Sequence, residues 1–447
     1  MGNNMIIDIN ESTVKQIRNP EFAKYAGIYI KIYENFLQQV RSSGIEIDAG
    51  GKDGEIASTL ERLKSKGVTV RNNQKSFFLN RISPACEACK TAEGSVTMFI
   101  SLMCNRKCYF CFNPNQADYR QFARNKRNFI TDLDELQHSG QRVDYLALTG
   151  GEPTLHKKEM VQFFIEGRKK FPQAHTRLYT TGDFLDQGSL NELAQTQLNE
   201  IRFSIKLEDA SEKRQRVLER IALAQNYIPA VMVEMPVLPG SLEIMKGLLR
   251  DLDQLGVYGI NLLEFCYPFF NANIYREKGF KIKHRPFRVL YDYWYAGALP
   301  VAQSEAECLA LLEFAADEGL KLGVHYCSLE NKNTGQIYRQ NNRQQLERNI
   351  YFSPQDFFLK SAKVFSKDIP KVEEIFLRAG YHDYTINQEH KYLEFHVSRM
   401  NLLADFDVEI GISSSVMEKR QDGEYLRELK VDLTNPQMFD FVQDLTS

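Results

Sequence analysis

No stretch of this chain approaches 18 consecutive apolar residues, so a membrane-spanning helix is not expected. An excess of charge of one sign is missing too: 56 Lys and Arg stand against 58 Asp and Glu in 447 residues. That balance removes the electrostatic case for nucleic acid or an anionic membrane as partner. A basic stripe interleaved with aromatics, the other mark of nucleic-acid binding, is also absent. Met1 to Glu11 lacks the charged-then-apolar pattern of a secretory signal. The chain opens Met-Gly, but Ile6 stands where a myristoylation pattern needs Ser or Thr. These absences give the expectation of a cytoplasmic protein. Internal repeats and low-complexity tracts are lacking as well.

What is present is ordinary globular material with one unusual feature. Apolar residues make up 43% and charged residues 26%, enough for a sizeable core. The length suggests two to four units. The unusual feature is cysteine. Of eight, Cys86, Cys89, Cys104, Cys108 and Cys111 fall within 26 residues, and Cys266, Cys308 and Cys327 follow later. Such clustering in a large chain reads as metal or redox chemistry, not as a disulfide framework.

The pattern divides the chain into four parts. Residues 1–93 read as a mostly helical unit. Glu21–Val40 and Gly54–Lys66 carry helical spacing, and short alternating runs at Gly67–Arg71 and Lys75–Leu79 suggest a β-hairpin. In residues 94–300, strands at 96–101, 144–149, 176–181, 200–206, 230–237 and 259–265 alternate with helices at 131–139, 157–170, 188–197, 213–226 and 241–254. The strands read as apolar on both faces, as covered parallel strands would be. Six βα units are too few for a closed eight-stranded barrel. The expected fold is therefore α/β, an open partial (β/α)6 barrel with functional groups at the C-terminal strand ends. Residues 301–350 read as helix, strand and helix, and 351–447 as a small α+β domain.

Two motifs carry the chemistry. The first is Ser101-Leu-Met-Cys104-Asn-Arg-Lys-Cys108-Tyr-Phe-Cys111, a three-cysteine loop straight after a predicted strand. Three thiolates hold three irons of a four-iron cluster and leave one iron open to a chelating small molecule. Zinc is the rival reading. Cys86-x2-Cys89 and Cys108-x2-Cys111 fit a zinc ribbon, which would make this a binding protein without catalysis. That template leaves Cys104 unused and does not account for the second motif, Thr149-Gly150-Gly151-Glu152-Pro153, at the end of the next strand. There the glycines let backbone approach a ligand closely, and Glu152 offers an acceptor. Gly-Gly-Glu-Pro is also an acceptable turn before a helix.

Together these segments resemble the radical S-adenosylmethionine (SAM) superfamily over residues 94 to about 266. Phe110 matches the aromatic residue that commonly precedes the last cysteine of its C-x3-C-x2-C loop. Thr180-Thr181-Gly182 and Ile201-Arg-Phe-Ser204-Ile-Lys206 are similar to its third- and fourth-strand ends, with Lys206 where an aspartate is common. The upstream Cys86–Cys89 pair, Asn261-Leu-Leu-Glu264 and His325-Tyr-Cys327-Ser328 bring the chain closer to a poorly characterised group related to pyruvate formate-lyase activating enzymes.

The resemblance implies a [4Fe–4S] cluster on Cys104, Cys108 and Cys111. It implies SAM contacts from Phe110, Gly150, Gly151, Glu152, Pro153, Thr181 and Ser204. The implied reaction is reductive cleavage of SAM to methionine and a 5′-deoxyadenosyl radical, which takes hydrogen from a substrate. An electron donor such as flavodoxin or ferredoxin is implied with it. Glu264 is a candidate to orient substrate, with a surface or salt-bridged carboxylate as the equal alternative, and Cys266 is a candidate hydrogen-atom donor, with a buried core thiol as the commoner alternative. Cys86, Cys89 and Cys327 are enough for a second [4Fe–4S] cluster or a zinc site, with His325 on the same strand face as Cys327; unliganded buried thiols are the alternative. Cys308, inside an apolar helix, reads as core. Lys332, Arg339, Arg343 and Arg348 fit a solvated helix face, with binding of an acidic substrate or a peptide as the alternative. The substrate expected is a peptide or protein, whose leader the hairpin would hold by strand addition; a small metabolite in the barrel is the alternative.

Overall fold

The computed structural model describes residues 6–50, 53–293, 298–343 and 345–441. The readings that rest on Met1–Met5, on Gln344 or on 442–447 lie outside them. Among the described residues no helix is long and apolar enough to cross a membrane.

Alternating strands and helices build one nine-stranded sheet. Its members are β1 (Thr69–Arg71), β2 (Ser76–Leu79), β3 (Ser95–Phe99), β4 (Tyr145–Thr149), β5 (His175–Thr180), β6 (Glu200–Phe203), β7 (Ala230–Val237), β8 (Gly259–Glu264) and β11 (Gly323–Cys327), with a separate ribbon of β9 (Cys266–Tyr267) and β10 (Leu299–Pro300). The order is β1-β2-β11-β8-β7-β6-β5-β4-β3. From β3 to β8 and on to β11 all neighbours are parallel. This is the expected open partial barrel, lengthened by β11. Among the helices between the strands, Gln187–Gln195 starts on a side-chain cap: Asp186 accepts from the Ser189 N–H at 2.8 Å.

Two sequence boundaries fall differently in the structure. The hairpin β1–β2 is not part of a separate N-terminal unit: β2 pairs antiparallel with β11, Leu79 opposite Val324. Residues 44–286 and 293–335 form one compact unit. Pattern reading cannot see such pairing, because the partners lie far apart in sequence.

The other unit comprises residues 1–43, 287–292 and 336–447. Its antiparallel sheet holds β12 (Tyr351–Phe352), β13 (Leu359–Phe365), β14 (Tyr384–Asn387), β15 (Tyr392–Phe395), β16 (Ile410–Arg420) and β17 (Gly423–Thr434). The helix Pro20–Ser42 packs on it through Phe22, stacked on Phe365 at 4.6 Å. Lys363 is buried there and pairs with Glu428 and with Glu394 at 3.0 Å. The α+β character is as expected, with the N-terminal helix added to it.

In the barrel unit the two strand faces differ. Leu146, Leu178, Ile201, Val233, Leu262 and Val324 belong to the apolar core with the helices. The opposite face is polar, against the sequence reading of strands apolar on both sides. Register places Tyr179, Arg202 and Met232 level with one another, and Glu234, Asn261 and His325 on the next level. Arg202 bonds Glu200, Glu234 at 2.5 Å and Ser83 at 3.0 Å. Asn261 donates to Glu234 at 2.7 Å, and its oxygen meets His325 Nδ1 at 2.9 Å. His325 Nδ1 therefore carries the proton, and Nε2 accepts from the Ser76 hydroxyl at 2.8 Å. Burial, then Arg202 and Arg71, push His325 down to about 3, so it is neutral at physiological pH.

The hairpin's contribution can be measured. Phe77 is 2% exposed and stacks on Tyr326 at 5.9 Å. Phe77→Ala is expected to cost the barrel unit about 3–5 kcal/mol in urea denaturation. A loss under about 1 kcal/mol, the size of a typical surface effect, would mean that the hairpin packs independently.

Candidate cofactor and metal centre

The three-cysteine loop leaves the end of β3 and lies along the C-terminal rim of the sheet. Four sets of contacts fix it. The first is backbone to backbone: Gly151 N–H donates to Ser101 O at 3.0 Å and Glu152 N–H to Met103 O at 2.7 Å. A Cβ on Gly151 would lie 1.8 Å from Met103 O, and Gly150 has φ +112°. The double glycine is thus required by the cysteine loop itself, whose backbone approaches as the sequence reading expected a ligand to do. Asn113, two residues past Cys111, adds a bond from its side-chain amide to Gly150 O at 2.7 Å.

The second set is ionic. Arg106, between Cys104 and Cys108, is 6% exposed and grips Asp183 with Nε at 2.6 Å and Nη2 at 2.5 Å. Its Nη1 bonds Asp209. Asp183 follows β5 and Asp209 follows β6, so one guanidinium fastens the loop to two further strand ends. Burial opposes ionisation of Asp183, but Arg106 and Asn105 hold its carboxyl below the usual range.

Aromatic packing is the third. Tyr109 meets Tyr275 edge-on at 5.5 Å, Phe110 meets Phe265 edge-on at 5.8 Å, and Asn271 donates to Tyr109 O at 2.9 Å. These partners follow β8. The fourth is Lys206, after β6: its ammonium lies 5.2 Å from the Phe110 ring centre, donates to Ser204 Oγ at 3.0 Å, and its charge lowers Cys111 against the effect of burial.

The thiols themselves are differently placed. Cys104 is exposed, while Cys108 and Cys111 are partly buried. Surrounding protein pushes the Cys104 thiol up, and the Arg106 N–H, 3.4 Å from the sulfur, opposes this. Among the described residues, no three His, Cys, Asp or Glu side chains are gathered as a metal ion would need. The donor chemistry still fits an iron–sulfur cluster: three thiols on one loop, one facing outward, with N–H donors and a cation beside the sulfurs.

Glu152 has a structural task that the sequence did not disclose. It is 1% exposed, and both oxygens are engaged. Oε1 accepts from Thr154 N–H at 3.1 Å, Thr154 Oγ1 at 2.5 Å and Thr180 Oγ1 at 2.6 Å. Oε2 accepts from Thr181 N–H at 2.7 Å and Thr181 Oγ1 at 2.8 Å. The carboxylate thereby ties the end of β4 to that of β5 and fixes Thr181. Pro153 is buried directly after it, and Ser204 N–H donates to Thr180 O at 2.9 Å.

Glu264 is corrected by its position. It shares the helix-facing side of β8 with Leu262, accepts from Leu329 N–H at 2.8 Å and pairs with Lys283 at 3.4 Å. It faces away from the polar lumen and does not meet a substrate there. Cys266 is buried on β9, with its thiol pushed up to about 12 by burial. Cys308 is core, as expected.

Cys86, Cys89 and Cys327 share the lumen. Cys86 receives Asn261 Nδ2 at 3.3 Å and Arg202 Nη2 at 3.4 Å, and Cys327 receives Asn331 Nδ2 at 3.3 Å. Cys89 and Cys327 feel Cys86, whereas Cys104 feels Cys108 and Cys111. The two pairs of a zinc ribbon thus fall into separate groups, which removes that rival. His325, with both nitrogens bonded, has none to offer a metal. Sequence reasoning missed Arg106, Asp183, Asp209 and the lumen charges. For the last, the signal was present: Arg177, Arg202, Glu234 and Asn261 occupy the same face of neighbouring strands at period two.

Residues 98–252 match the sequence profile of the radical SAM superfamily. A protein of Methanocaldococcus jannaschii with the provisional name glycyl-radical enzyme activating enzyme is 26% identical over 256 residues, covering 56% of this chain and 64% of its own. Solved structures with some likeness include Streptococcus suis SuiB bound to its precursor peptide SuiA, 14% identical with a TM-score of 0.34 over 53% of each chain. Coproporphyrinogen III oxidase of Escherichia coli is 16% identical, with a TM-score of 0.35 over 54% of this chain and 58% of its own. The chain therefore spans about two thirds or less of each of these relatives. The segment that matches the radical SAM superfamily, residues 98–252, holds the cysteine loop, the double glycine and Glu152.

Proposed function

We propose that this chain reductively cleaves SAM at a [4Fe–4S] cluster and takes hydrogen from a small polar metabolite held in the barrel lumen. One observation carries the reading: the three-cysteine loop is bonded backbone to backbone to the double-glycine turn at the rim of a polar lumen. Cys104, Cys108 and Cys111 would hold the cluster, and SAM would lie against Phe110, the Gly150–Pro153 turn, Thr181 and Ser204. Bound there, cluster and SAM together supply a 5′-deoxyadenosyl radical after one electron arrives from a donor such as flavodoxin or ferredoxin.

The chain's own residues do the rest. Arg106 and its two aspartates hold the loop in place. Tyr109 and Phe110, packed against Phe265 and Tyr275, shield the rim from water. Lys206 supplies positive charge beside Cys111 and Ser204. Glu152 keeps Thr180 and Thr181 rigid. The protonated Cys266 thiol is available as a hydrogen-atom donor. Cys86, Cys89 and Cys327 form a second candidate metal site in the lumen, for another [4Fe–4S] cluster or zinc. A metabolite is favoured over a peptide because the lumen is lined with polar side chains, while the hairpin leaves only the three-residue edge strand β1 for strand addition. The reading places the protein in the cytoplasm, where thiols stay reduced.

Anaerobically purified protein is expected to hold about four irons per chain, to show an EPR signal that SAM perturbs, and to yield 5′-deoxyadenosine with dithionite. Cys104→Ala should lose all three properties. About eight irons would add the second cluster. Zinc without iron would sink the reading.

A separate test addresses the double glycine. In Gly151→Ala the new methyl would collide with the loop backbone, so iron uptake should fall, with a stability loss of about 1–3 kcal/mol. Gly188→Ala, where the nearest neighbour of a Cβ is Asp186 at an ordinary 3.5 Å, should take up iron as the natural chain does. Equal uptake by both variants would remove the double glycine from the site.

A further inference from the structure

Arg177 is a lumen charge with no hydrogen-bonding partner among the described residues. It stands on β5 with Ala147 of β4 and Glu200 of β6 beside it in register. Its residue exposure is 6%, and its Nε has no hydrogen-bond partner. Among the described residues its guanidinium makes no hydrogen bond or ion pair; it lies 5.8 Å from the Tyr179 ring centre and acts electrostatically on Cys89 and Glu200. Glu200 is already used by Arg202, by Ser83 at 2.7 Å and by His175 at 3.0 Å. A guanidinium carries five N–H donors and a permanent charge, and burying it without an anion is strongly unfavourable.

The β3 side of Arg177 is lined by small residues and reaches solvent. On the β3 side the lumen residues level with Arg177 are Ala147 and Thr97, both small. Thr97 is exposed and lies on the edge strand, so this level of the lumen opens to solvent. The nearby acids, Glu200 and Glu234, are both bonded to Arg202. Negative charge is therefore what the wall beside Arg177 lacks.

We propose that Arg177 binds an oxyanion of the substrate, a carboxylate or a phosphate, so that the substrate is a small acid. The inference rests on the lumen being the substrate site. Arg177 lies three residues below Thr180 at the rim, about 10 Å of strand. The anionic end is thus held deep while the reacting carbon lies near the cluster loop. A planar fork suits either oxyanion by paired N–H bonds.

The test is thermal unfolding of the full chain with sodium phosphate, and separately with sodium succinate, each against NaCl at equal ionic strength. Either anion is expected to raise Tm by about 2–4 °C, and the more effective of the two identifies the substrate's charged group. Arg177→Met should unfold no lower than the natural chain without added anion, because a buried unpaired charge is gone, and should lose the anion-dependent rise. No rise with either anion, an equal rise in Arg177→Met, or a lower Tm of that variant without anion would each overturn the proposal. Iron content, measured on the same samples, keeps the readings apart. Four irons without an anion effect would defeat only the anion site, and an anion effect in protein that takes up no iron would defeat only the radical reading.

Discussion

The bond pair between the Gly150-Gly151-Glu152 turn and the backbone of Ser101–Met103 is the contact on which the site depends. It works only because two successive residues have no side chain where the loop passes. Everything else at the rim follows from that approach. With the first part of the loop fixed, Arg106 comes within reach of Asp183 and Asp209, and Tyr109 and Phe110 reach the aromatic group beyond β8. A loop that would otherwise be mobile is held at four strand ends. Most of its anchors are not the cysteines, so the cysteines remain available for ligation.

Glu152 extends the same logic one strand further. A buried carboxylate with five donors has its hydrogen-bonding capacity met by the protein. It converts two threonines at the end of β5 into fixed features. The polar lumen is organised similarly: Arg202 is fully enclosed, yet its charge is met by Glu200 and Glu234, and the chain of bonds continues through Asn261 to His325 and Ser76. Such networks specify one arrangement, since any member left unpaired would be costly.

Much of the barrel was legible in the sequence because its information is local. Strand and helix periods at 94–265 can be read in short windows, and the cysteine spacing and the Gly-Gly-Glu turn are contiguous motifs. What could not be read was long-range. The partnership of Leu79 with Val324, and that of the helix Pro20–Ser42 with β13, join distant segments that carry no mark of each other. The lumen was misread for another reason. Single charged residues inside apolar strands look like noise until neighbouring strands are set in register, when Arg202, Glu234, Asn261 and His325 fall on one face. Glu264 left two readings open in the sequence, and the two-residue period decides for the salt-bridged one: it lies with Leu262 on the other side, paired with Lys283.

The pairing of β2 with β11 also bears on how the molecule is made. Ribosomes add about 5–20 residues per second, so the hairpin emerges some tens of seconds before the strand that covers it. Meanwhile β3 to β8, whose neighbours are consecutive in the chain, can assemble in the order of their synthesis. The cysteine loop and the Gly-Gly-Glu turn lie wholly within that early part. A nascent chain halted before residue 323 would thus hold a complete rim above a sheet with β8 as a second unpaired edge besides β3, and Phe77 would still be waiting for Tyr326. β11 then joins that edge to the waiting hairpin and walls the lumen on the β8 side, while β3 stays an edge.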